Sequence, residues 1–103
     1  MIATDLPDVL LSEYRHNDGI RAAERGLAAC RAIGDAGGEG NTLRSLGDLK
    51  VRTNDLAGAR ADYDAALLIY REIRSRLGEG YTLRSLERLK RSFGWLPSGG
   101  SRI

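Results

Sequence analysis

Residues 38–50 read GEGNTLRSLGDLK, and residues 78–90 read GEGYTLRSLERLK. Ten of the thirteen positions are identical, at an offset of 40 residues. An internal period between about 20 and 50 residues marks a chain built from stacked copies of one small unit. One copy cannot bury its apolar side alone; its neighbour completes the core. The remainder of the chain is what precedes the first copy, what separates the two, and what closes the second.

The 103 residues suit a single domain, 1–103, with a small core and a modest stability margin. Apolar residues make up 42% and charged residues 29%, a globular rather than a disordered balance. Arg, Ala and Leu dominate the long segments and favour helix, and nothing alternates as a strand does. The expected class is therefore all-α. Net charge is only +2, too small to imply nucleic acid. Its distribution is uneven: residues 1–70 hold eight Lys/Arg and eleven Asp/Glu, whereas residues 71–103 hold eight and three. The single cysteine, Cys30, excludes an internal disulfide. MIATDLPDVLL lacks the basic start of a secretory signal, and no apolar run is long enough to span a membrane. A cytoplasmic location is the expectation, with no membrane partner.

Taken in order, residues 5–16 read as a first helix with Pro7 and Asp8 in its first turn and Leu6, Val9, Leu10 and Tyr14 as its apolar stripe. Asn17-Asp18-Gly19 reads as a turn. A second helix, 19–33, aligns Ile20, Ala23, Leu27, Cys30 and Ile33. Gly34 is placed to end it and Asp35 to cap a third helix that runs to about Arg52. Thr53-Asn54-Asp55 breaks that helix. A fourth, 56–73, turns Leu56, Ala59, Tyr63, Ala66, Leu67, Tyr70 and Ile73 inward. Arg74-Ser75 turns the chain into a fifth helix, 76–93, with Leu83, Leu86 and Leu89 directed inward. The tail, 94–103, reads as flexible. Connections of two to four residues make successive helices antiparallel, as a stack of helical hairpins.

Leu43, Leu46 and Gly47, followed by Ala59, Tyr63 and Ala66, have the residue types and spacing of the tetratricopeptide repeat signature. In these residues the chain resembles that family, in a 40-residue variety. Lys50, where the family prefers an aromatic, and Arg71, where it often has proline, depart from the pattern. The resemblance implies an α-solenoid of five helices, about two and a half repeats. Residues 5–34 would form a degenerate repeat, 36–75 a clear one, and 76–93 a terminal capping helix. Glu87 stands where the complete repeat has Gly47, which suits a helix with no following partner and suggests a true end.

Little in the sequence points to catalysis. His16 is alone near an expected helix end, and Cys30 lies on an apolar line. The GEG triplets lack the rest of a phosphate-binding loop, and turn flexibility is the simpler reason for their glycines. No cofactor, metal or enzymatic activity is expected. In the family resembled, the first helix of each repeat lines a concave groove. The matching residues are Asn41, Arg44, Asp48 and Arg52, then Tyr81, Arg84, Arg88 and Arg91. Each set recurs at three or four residues, so each shares one helical face. Arginine forks suit carboxylates and phosphates, which makes an acidic or phosphorylated peptide the expected protein partner and nucleic acid an unlikely one. An equally simple reading is a solvated face in which Asp48 bridges Arg44 and Arg52. The alternative function is a self-associating scaffold unit, a homodimer formed through Phe93, Trp95 and Leu96; a weaker alternative is non-specific nucleic-acid or phosphate binding through the basic C-terminal half.

Overall fold

The structure, a computed structural model, describes residues 8–93. Those residues form four α-helices: α1 (Asp8–Ile33), α2 (Ala36–Arg52), α3 (Leu56–Glu72) and α4 (Arg76–Phe93). No strand occurs among the described residues. Contacts at both ends of each pair show that neighbours run antiparallel. Gly19 lies near Leu49 and Gly38 near Cys30; Gly47 meets Tyr63 and Gly40 meets Tyr70. Among the described residues no helix is long and apolar enough to cross a membrane.

The three junctions share one construction, repeated every 20 residues. A residue with positive φ ends each helix region: Gly34 (73°), Asn54 (66°) and Arg74 (59°). The next residue, Asp35, Asp55 or Ser75, donates its N–H back to the carbonyl of Cys30, Lys50 or Tyr70 at 2.8–2.9 Å. This closes the spent helix with a left-handed cap. The same residue opens the following helix. Its side-chain oxygen accepts from the N–H of Gly38, Gly58 or Gly78, at 2.9, 3.0 and 3.2 Å. One residue thus satisfies orphan groups of two helices.

The expected break at Asn17-Asp18-Gly19 does not exist, and α1 runs unbroken through it. None of these three residues has positive φ. The 20-residue rhythm would place a junction at Tyr14-Arg15, where neither residue suits a left-handed cap or an N-cap. Gly19 lies in the helix opposite Leu49, which a Cβ would meet at an ordinary contact distance of 3.5 Å. The expected five helices are therefore four among the described residues. His16 lies inside α1, half-buried, rather than near a helix end.

Two clusters form the core. Leu27, Leu43, Leu46, Ala66 and Tyr70 join α1, α2 and α3. Ala59, Tyr63 and Leu89 join α3 to α4, with Val51, Leu56 and Leu86 packed alongside. Leu46 is 2% exposed, at the centre of the first cluster. Two tyrosines one heptad apart on α3 fix the helix spacing. The Tyr70 ring lies between Gly40 and Gly78, where a Cβ would fall 3.0 and 2.4 Å from ring carbons. The Tyr63 ring covers Gly47, where a Cβ would fall 2.6 Å away. Gly40, Gly47 and Gly78 therefore serve close packing rather than turn flexibility. Lys50, the odd residue of the repeat signature, binds Asp62 of α3 at 2.8 Å in a largely covered pair.

Some expected core positions are open. Ile33, Ile73 and Leu83 are exposed, as are Leu10 and Tyr14. Ile33 closes α1 and Ile73 stands at the C-cap of α3, where the neighbouring helix has already turned away. Leu6, Pro7, Trp95, Leu96 and the tail 94–103 lie outside the described residues, as do the side chains of Val9 and Phe93.

Candidate functional site

α2 and α4 are the two copies of the repeated stretch, and α3 packs between and behind them. Across the gap they leave, Arg44 of α2 reaches over the Tyr81 ring of α4, with its guanidinium carbon 5.4 Å from the ring centre. This is within cation–π range. The Nε of Arg44 is buried without an acceptor. A turn or two further along, a cavity of about 230 Å³ opens between the helices. Val51, Tyr63 and Leu89 supply apolar surface; Asp48 and Arg52 line it from α2, and Ser85, Arg88 and Ser92 from α4.

The α3 tyrosines also reach this side. Tyr63 donates its hydroxyl to Asp48 and Tyr70 donates to Asn41, each at 2.5 Å. Burial pushes the Tyr63 phenol well above its ordinary range, and the bonded Asp48 carboxylate pushes the same way. Ser85 and Arg88 oppose these effects without reversing them. Tyr63 is therefore a neutral donor at physiological pH, with Asp48 as its acceptor. The alternative in which Asp48 bridges Arg44 and Arg52 is not the arrangement found: among the described residues no ion pair joins Asp48 to either arginine.

Asp48, Arg52 and Arg88 thus come together at one cavity, and Arg44 and Tyr81 meet beside it. Asn41 is exposed but tied to Tyr70. Arg84 is exposed and outside the cavity lining. Arg91 is also outside it and lies 3.6 Å from Glu87 on its own helix. Ser85, Ser92 and the floor residues were not singled out by the sequence pattern. A signal for the site was nevertheless present. The repeated stretches differ at only three positions, Asn41/Tyr81, Gly47/Glu87 and Asp48/Arg88. The first and third of these pairs lie on the α2–α4 gap. Among the described residues no three His, Cys, Asp or Glu side chains gather as a metal site.

Comparison with protein-family models, with curated proteins and with solved structures gives no match for this chain.

Proposed function

We propose that the chain is a non-enzymatic protein-interaction module, and that the gap between α2 and α4 takes an acidic or phosphorylated peptide segment. The helices would be layers of a tetratricopeptide-like solenoid. α2 and α3 would form one complete unit, α1 the second helix of the unit before, and α4 the first helix of the unit after. The matched junctions at 20-residue intervals and the equivalent bonds Thr42 to Gly38 and Thr82 to Gly78 support that reading.

The observation that carries the binding proposal is the pairing of Arg52 and Arg88. They come from different helices, line the same cavity, and among the described residues neither is in an ion pair. Ser85 and Ser92 add hydroxyl donors. Asp48, on the same cavity, has one carboxylate oxygen engaged by Tyr63. Two arginine forks and two hydroxyls facing a small cavity suit one phosphate or carboxylate group.

The test is anisotropy with short acidic and phosphoserine peptides, read at low and high salt. The wild type should bind at low salt, and raised salt should weaken binding. Arg52→Glu combined with Arg88→Glu should lower affinity at least about tenfold, since each charge-assisted bond contributes about 1.5–3 kcal/mol. The thermal midpoint should stay near that of the wild type, because both side chains are exposed. No binder at low salt, or a binder indifferent to the double reversal, would overturn the proposal.

A further inference from the structure

α2 and α4 carry the same residues on the face that α3 covers in one and leaves bare in the other. On α2, Leu43 is 3% exposed, Gly40 is capped by the Tyr70 ring, and Lys50 holds Asp62. On α4, the equivalent Leu83 is 43% exposed, a Cβ on Gly80 would meet nothing within 4 Å, and Lys90 is exposed. Leu77, 69% exposed, extends the patch. Glu87 interrupts it where α2 has Gly47, so a second tyrosine could not settle there as Tyr63 does on α2. The exposed apolar part therefore runs only from Leu77 to Leu83, about 9 Å along the helix.

The other end of the molecule carries a projecting segment with an exposed apolar pair. Asn17 of α1 shares a surface depression with Arg52, Thr53 and Asn54, where α2 ends. Residues 8–16 therefore project past α2 by about 13 Å. Leu10 and Tyr14 on this projection are 51% and 61% exposed, and one helical turn apart they share a face. The two segments also differ in charge along the sequence. Residues 8–18 carry Asp8, Glu13 and Asp18 against Arg15. α4 carries Arg76, Arg84, Arg88, Lys90 and Arg91 against Glu79 and Glu87.

We infer that the bare face of α4 is covered by the projecting start of α1 from a second copy of this chain, reciprocally, in a two-fold dimer. Tyr14 of the second copy takes the place on Gly80 that Tyr70 takes on Gly40. Leu10 packs on Leu83. The two-fold arrangement uses both bare surfaces of both copies and closes. A long α3-like helix from elsewhere is the poorer occupant, because the exposed apolar patch spans less than two turns before Glu87. The inference does not rest on the peptide groove, since Gly80 and Leu83 lie outside it.

The test is light scattering on the full chain across a concentration series. The expected mass is twice the 11.2 kDa chain at about 100 μM, with the weak affinity of a small interface. Leu83→Glu and Tyr14→Glu should each weaken association at least tenfold. Mixing the two variants should restore part of it, because one intact α1–α4 contact then remains. Gly80→Ala should weaken the dimer while raising the thermal midpoint of the monomer, since alanine favours helix and the site within one chain is open. A single-chain mass throughout overturns the inference. So does a dimer that survives both Leu83→Glu and Tyr14→Glu.

Discussion

Gly47→Leu is the sharpest probe of how α2 and α3 fit together. The first added carbon would already lie 2.6–2.9 Å from three carbons of the Tyr63 ring, inside van der Waals contact. The ring cannot simply slide, for it is 3% exposed and packed with Ala59 and Leu89. The protein must either push α2 from α3 or turn the ring out. Turning it out exposes about 150 Å² of aromatic surface, at roughly 25 cal/mol per Å², or about 4 kcal/mol. It also breaks the bond to Asp48, worth about 1 kcal/mol. Leucine returns about 0.8 kcal/mol through its better helix propensity. Separating the helices is the cheaper response when strain is shared, about 1–3 kcal/mol. The expected loss is therefore about 1–4 kcal/mol. At about 4–8 °C per kcal/mol for a chain of this size, thermal circular dichroism should show a midpoint lowered by at least about 4 °C. Glu87→Leu, at the equivalent but exposed position, should change it little. Tyr63→Ala should partly relieve the Gly47→Leu defect, because the two residues touch. An unchanged midpoint in Gly47→Leu would refute the packing of α2 on α3.

Three further outcomes follow from the fold. Leu46→Ala should cost about 2–5 kcal/mol in chemical denaturation, since it empties the centre of the larger cluster. Arg74→Gly should stabilise by up to about 1 kcal/mol, because φ of 59° is strained for arginine and free for glycine; an unchanged denaturation midpoint would argue against that cap. Tyr63→Phe should alter the alkaline limb of the stability profile. The folded protein holds the Tyr63 proton more tightly than the unfolded chain, so this contribution is complete below about pH 10 and falls as pH rises further. Thermal midpoints between pH 8 and 11 should fall less steeply in the phenylalanine variant.

The sequence made some features legible because they are local. Gly34, Asp35 and Thr53-Asn54-Asp55 carry the residue types that caps require, and the helices around them end where those residues stand. The inward line of α3 was readable for the same reason, from Ala59 to Tyr70. Asn17-Asp18-Gly19 misled because three weak helix formers resemble a turn when only propensity is weighed. A break also needs a positive φ and a cap with an amide to receive, and neither is present there. The role of Lys50 required its partner, Asp62, twelve residues away on another helix. The cavity was half legible. The change from Asp48 to Arg88 between copies marked the gap. However, Tyr63 read only as core, because its ring is core while its hydroxyl reaches the groove.

The shared junction also bears on how such a chain can change length. Asp35, Asp55 and Ser75 each finish one helix and begin the next using only atoms within five residues. Copying or excising residues 35–74 would bring Arg74 against Asp35, or Gly34 against Ser75. In either case a left-handed residue would still precede a capping one. The seam would be chemically complete without compensating change elsewhere. The glycine–tyrosine packing obeys the same register, since every inserted Gly40 would arrive with its own Tyr70. A 20-residue insertion would keep the junctions but would part each Gly40 from its Tyr70. Forty residues is therefore the natural quantum of growth for this architecture.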